Sequence, residues 1–161
     1  MSVDALRDVV VRRASVGDTP EVLLALVQTA FRDLPIDPPS GVFKETVADF
    51  STRLQSQTVF VAQACDDLVG TIFCIARDDA LYVGRLAVLP GWRRRGIASA
   101  LLEAAKAEGR RLGAKRMTLN ARIMMPGNVA LFQKHGFTIV GEETHAGYSA
   151  PTSYRMALTF S

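Results

Sequence analysis

Hydrophobic positions along this chain fall into short runs of two different periods, and their succession outlines a fold. Asp8–Arg13, DVVVRR, reads as a first strand. In DTPEVLLALVQTAF, apolar residues at Val22, Leu26 and Ala30, with Leu23 and Val27 beside them, share one face of a helix. Asp18 as N-cap, Pro20 in the first turn and Glu21 three residues on make a capping-box pattern at its start. LPIDPPSG, Leu34 to Gly41, then breaks the chain with three prolines and a glycine. A second helix is expected from about Val42 to Leu54, with Ser40 near its cap.

Thr58–Ala64 and Leu68–Ala76 are β-rich runs separated by Asp66-Asp67, a hairpin signal. With those two residues as the loop, Cys65 faces Leu68 and not Cys74, which argues against a disulfide. Ala80–Leu89 is almost continuously apolar, the pattern of a strand covered on both faces. Ile97–Leu112 follows as a helix, with Ile97, Leu101, Ala104, Ala105, Glu108 and Leu112 near one stripe. Lys106, Arg110 and Arg111 fall on its outer side and Gly113 is its stop. Lys115–Ala121 reads as a strand, and Asn128–His135 as a short helix closed by Gly136, with His135 a dipole-favoured end residue. Phe137–Glu143 and Ser153–Phe160 are the final strands, joined by THAGYSAPT. The order β-α-α-β-β-β-α-β-α-β-β predicts a mixed α/β sheet in a single domain over residues 1–161.

Composition narrows the function more than the fold. A chain of 161 residues, 48% hydrophobic and 22% charged, is that of an ordinary globular domain. A net charge of +3, with one tryptophan and three scattered tyrosines, argues against a nucleic-acid partner. The stretch MSVDALRDVVVRR carries early acidic residues and no long apolar core, so it does not read as a signal peptide. No window approaches ~18 uninterrupted apolar residues, so no membrane partner is expected and a cytoplasmic location is. Cys65 and Cys74 are too few for a disulfide scaffold and read as small buried hydrophobes.

Chemistry concentrates in LAVLPGWRRRGIASALL, residues 86–102. A strand, a Pro90-Gly91 bend, three arginines and Gly96 lead straight into a helix. Such a junction leaves several backbone N–H groups unpaired at a positive helix end, where an anion is favoured. Glycine at the bend lets a phosphate approach with no Cβ in the way, and Ala98 and Ser99 keep that approach open. Gly91 and Gly96 have the spacing of a nucleoside-triphosphate loop, but Ile97 stands where lysine is needed and Ala98 where a hydroxyl must reach magnesium. The dinucleotide fingerprint G-x-G-x-x-G is absent as well. The segment suits a pyrophosphate on some other carrier.

The chain resembles the GCN5-related N-acetyltransferases (GNAT) at two places and in its element order. Arg93-Arg94-Arg95-Gly96-Ile97-Ala98 is similar to the family's acetyl-CoA signature, [Gln/Arg]-x-x-Gly-x-[Gly/Ala], and PGNVALFQKHGF at Pro126–Phe137 to its second motif. The resemblance implies acetyl-CoA as co-substrate, no metal, and direct acetyl transfer to a primary amine of a small molecule or peptide; a homodimer is compatible with it. It implies that N–H groups from Arg94 to Ser99 hold the CoA pyrophosphate, with Arg93, Arg94 and Arg95 adding positive charge. Leu86, Ala87 and Val88 would face the pantetheine arm, splayed from strand Met117–Ala121. An N–H near Ala87 or Val88 would polarise the thioester carbonyl, Asn128 would touch the arm, and Phe132 would lie beside it.

The family's usual catalytic groups are missing. Many relatives carry a tyrosine where Phe132 stands, and a glutamate on the central strand where this chain has Arg85. Three readings stay open. Tyr148 supplies the acid; His145 or Glu143 carries the amine's proton, the histidine because its ordinary pKa of about 6.5 suits the task; or water takes the proton and positioning does most of the work. The absences also motivate an alternative, a CoA-binding sensor or regulatory module without catalysis. For the acceptor, the resemblance points to Phe31–Phe43 and the loop His145–Thr152. Asp33 and Asp37, among Phe31, Leu34, Ile36 and Phe43, suit a cationic amine on a partly apolar body, or simply cap turns.

Overall fold

The computed structural model describes residues 8–161, so the part of the N-terminal reading that rests on residues 1–7 lies outside the described residues. Its seven strands are β1 (Val9–Arg13), β2 (Thr58–Ala64), β3 (Asp67–Arg77), β4 (Ala80–Val88), β5 (Arg116–Arg122), β6 (Thr138–Glu143) and β7 (Ser153–Thr159). Its α-helices are α1 (Pro20–Phe31), α2 (Val47–Ser56), α3 (Ile97–Arg111) and α4 (Pro126–Lys134). The element order is the expected one. All seven strands form one sheet in the order β1-β2-β3-β4-β5-β7-β6, antiparallel except where β4 meets β5.

Period-two alternation in the central strands explains why both faces are covered. On β3, Ile72 and Cys74 face one core and Phe73 the other. The first core packs Leu101, Leu102 and Ala105 of α3 and Phe132 of α4 on Leu81, Met117 and Met156. The second packs Leu23, Leu26 and Val27 of α1 and Phe50 of α2 on Val59, Val61, Phe73 and Ala87.

The sheet is split along its middle. Strands β4 and β5 pair only where Ala80, Leu81 and Tyr82 meet Arg116, Met117 and Thr118. Beyond Tyr82 they part. On its other side β4 also loses register: Phe73 faces Gly84 while Thr71 faces Ala87, so β4 holds one extra residue there. Arg85 lies in that stretch with φ 51°, a β-bulge on a residue that avoids the left-handed region unless held. The hold is visible: the Arg85 guanidinium is clasped by Glu45, which also takes Arg53 at 2.7 and 3.0 Å.

Several local expectations are corrected. Thr19, not Asp18, caps α1 by accepting from Val22 N at 3.3 Å. Asp18 is drawn away by Arg12, whose Nη1 donates to it at 2.6 Å, and by Ser15 N at 2.8 Å. The helix expected over Val42–Leu54 is broken: Ser40 caps a 3₁₀ turn, Gly41–Lys44, Glu45 is extended, and α2 restarts under a Thr46–Asp49 capping box. That reciprocal cap makes a fresh start at Thr46 more favourable than a continuous helix. The β2–β3 loop is Cys65-Asp66, since Ala64 faces Asp67 and Gln63 faces Leu68. Cys65 occupies the turn at φ 53° and is exposed rather than buried. Cys74 is buried, and both thiols are free. On α3, Leu112 is 46% exposed while Lys106, expected outside, is buried and paired with Glu103 at 3.3 Å.

Candidate active site

A cavity of about 950 Å³ follows the gap between β4 and β5, from the start of α3 to the loop after β6. At the α3 end, Gly96 is the N-cap at φ 81° and no side chain caps the helix. A Cβ built on Gly96 would meet nothing within 4 Å, so it would stand in open space. The N–H groups of Ile97, Ala98 and Ser99 lie in the first turn, where no intrahelical acceptor exists. Unpaired donors at a helix start are the arrangement that favours an anion.

The arginine run divides into three different roles. Arg93 is turned back into the fold: its guanidinium grips Asp33 at 2.9 and 3.1 Å and the carbonyls of Ala30 and Val88. It ties the end of α1 to the end of β4. Arg95 lies over the Trp92 ring, 4.9 Å from the ring centre. Arg94, exposed and at φ 62°, is on the cavity wall. Behind the helix start, Ser99 Oγ is 3.0 Å from His135 Nε2, and His135 Nδ1 is 3.1 Å from Glu103. His135 is thus not merely a helix-end residue.

Along the gap, Leu86, Val88, Asn128, Leu131 and Phe132 line the cavity opposite Leu119–Arg122 of β5. Leu89 N donates to Val69 O on β3 at 2.9 Å. By alternation Ala87 also turns its N–H toward β3, and Val88 turns its N–H the other way, toward the gap, while its carbonyl accepts from Arg93. Of the two N–H groups considered for the thioester carbonyl, Val88 is the one facing the opening. Phe132 is buried, edge-on to Phe137 with ring centres 6.1 Å apart. It has no proton to give.

The far end gathers Arg85, Arg122, Glu143 and His145. Arg122 Nη1 donates to the Pro38 carbonyl at 2.6 Å. Thr152 Oγ1 accepts from His145 N at 3.0 Å, donates to Glu143 O at 3.3 Å, and is in close contact with His145 Nδ1. Burial lowers the His145 pKa, and the charge of Arg122 lowers it further. The imidazole is therefore neutral at neutral pH, as a proton acceptor must be. Tyr148 is placed differently: it is exposed, outside the cavity wall, and donates its hydroxyl to Asp37, a bond that raises its pKa.

Sequence reasoning passed over Glu45, Arg122 and the role of His135. Glu45 sat inside an expected helix, so its extended conformation was hidden. Arg122 gave one signal, a charge closing the otherwise alternating strand RMTLNAR.

A sheet opened at a parallel strand pair, with the opening running onto an uncapped helix terminus, defines the acyl-CoA N-acyltransferase architecture. The Acetyltransferase (GNAT) domain model matches residues 55–139, more than half of the chain. The chain belongs to the GNAT family of acetyltransferases. It is 31% identical over 111 residues to the N-alpha-acetyltransferase MAK3 of Arabidopsis thaliana, a match spanning 66% of this chain and 58% of that protein. Among solved structures, a GNAT acetyltransferase from Streptococcus pneumoniae superposes with a TM-score of 0.79 at 20% identity, covering 94% of this chain and 99% of that one. The PaiA N-acetyltransferase of Thermoplasma acidophilum, in complex with coenzyme A, gives 0.79 at 16% identity with the same coverage.

Proposed function

We propose that the protein transfers the acetyl group of acetyl-CoA directly to the nitrogen of a primary amine. The observation that carries this is the continuity of one cavity: Gly96 and the α3 start at one end, the open edge of β4 in the middle, and His145 at the other. In that arrangement the Ile97, Ala98 and Ser99 N–H groups hold the diphosphate, with Arg94 beside them. Arg93 contributes through position, since its charge is already matched by Asp33. The arm runs along Leu86–Val88, flanked by Asn128 and Phe132. Val88 N–H points at the developing negative charge on the carbonyl oxygen.

The His145 imidazole takes the proton of the acceptor ammonium; the free amine then forms the C–N bond as the C–S bond breaks, and the proton the new amide nitrogen sheds goes to the departing thiolate. A departing thiolate, with a pKa near that of cysteine at about 8.5, is a far better leaving group than an amine. A dedicated acid is accordingly dispensable, which fits Phe132 in place of a hydroxyl and Tyr148 engaged by Asp37. Calorimetry with acetyl-CoA, followed by thiol release over an amine panel, tests the proposal. The buried, proton-free Phe132 also favours a second reading, a CoA-binding module. Tight acetyl-CoA binding without thiol release on any amine or peptide would establish that one instead.

A further inference from the structure

We propose that the acceptor amine also carries a carboxylate, held by Arg122 with Arg85 behind it. This deepens the acetyl-transfer proposal and rests on it. Arg122 closes β5 opposite Ser153 of β7 and lies on the cavity wall at the His145 end. It is half-buried, and its Nη1 is used by a backbone carbonyl. Among the described residues no ion pair includes it. Burial lowers its pKa, and the like charge of Arg85 works in the same direction, against Tyr148 and Asp37. A guanidinium so placed has a fork of donors suited to a planar anion, and no carboxylate is close enough to pair with it directly.

The surrounding charges do not fill that role. Glu45 serves both Arg85 and Arg53, two cations on one carboxylate. Asp33 is paired with Arg93; Asp37 accepts from the neutral Tyr148 hydroxyl, keeps its charge, and acts on Arg122 without pairing with it. Glu143 is exposed and faces Arg155 at 3.9 Å. Neither of the two aspartates that suggested a cationic acceptor lines the cavity. A ligand whose only charge is an ammonium would meet the Arg122 guanidinium, which no carboxylate pairs, beside an Arg85 already matched by Glu45 and the exposed Glu143. A ligand with a carboxylate would supply the missing partner, and the positive surroundings would favour loss of its ammonium proton.

The test is a matched acceptor series: amino acids, their amides, their methyl esters, their decarboxylated amines, and peptides with the same first residue. Wild-type protein should favour the free carboxylates by at least about tenfold in kcat/KM. Arg122→Gln should remove that preference through KM and leave acetyl-CoA affinity unchanged. Arg122→Lys, which keeps the charge without the fork, should retain part of it. Equal or faster turnover of amides or decarboxylated amines by wild-type protein overturns the proposal alone, and so does an undiminished preference in Arg122→Gln. Acetyl-CoA binding with no acetylation anywhere in the series overturns the transfer proposal as well.

Discussion

His135 stands between Ser99 and Glu103, 3.0 Å from the serine hydroxyl and 3.1 Å from the carboxylate, so the end of α4 braces the first turn of α3. The brace sits directly behind the backbone proposed to hold a diphosphate. His135→Ala should weaken acetyl-CoA binding severalfold. It should also cost about 1–2 kcal/mol of stability, from two lost polar contacts around a largely buried ring. Calorimetry and denaturant unfolding check the two effects. Unchanged affinity would show that Ser99 needs no support.

Gly96 can be altered with little harm to the fold. A Cβ there meets open space, so the cost is the left-handed backbone alone, about 1–2 kcal/mol. Gly96→Val should abolish acetyl-CoA binding at concentrations that saturate wild type, with a small fall in Tm. Retained binding would remove the diphosphate from this helix start.

Glu108 should govern acid stability. Its side chain is buried and bound by Arg111 at 2.7 Å, Thr58 at 3.1 Å and Arg13 at 2.7 Å. The bonds from Arg111, reinforced by Thr58 and Arg13, overcome burial and hold its pKa at about 2, against an ordinary 4.5. A depressed pKa stabilises the fold above the unfolded value, and that contribution is lost as pH falls through the folded one. Stability on the order of 3 kcal/mol should therefore disappear between about pH 5 and pH 2. Unfolding curves across that range, with Glu108→Gln as the comparison, should show a shallower acid limb in the variant, the remainder coming from Asp18, Asp33, Glu45 and Glu103, whose pKa values are also lowered.

The cysteines should react unequally. Burial pushes the Cys74 thiol up to about 12, whereas Cys65 is exposed at a turn. Native protein should take up one equivalent of a thiol reagent at neutral pH and two after denaturation. Rapid modification of both in native protein would contradict the packing of β3.

Much of this was legible in the chain, for reasons that are local. The alternation on β3 and the apolar stripe on α3 declare their own periods. The Gly96 junction declares an anion site because the backbone alone makes it. What escaped the sequence was decided by distant partners. Asp18 looks like a cap until Arg12, from the neighbouring strand, claims it. Arg93 looks like ligand charge until Asp33 folds against it. Arg85 and Arg122 sit on different strands, and the bulge that lets β4 part from β5 has no periodic signature. Local rules cannot see such meetings.

The bulge at Arg85 has a last consequence, for what the sheet can recruit. A sheet ordinarily carries its unpaired amides on its outermost strands, where another chain can add to them. Here part of that edge lies within the sheet, between β4 and β5, along the cavity wall. On the proposed function, that inner edge is where the extended arm of acetyl-CoA would find strand-like pairing.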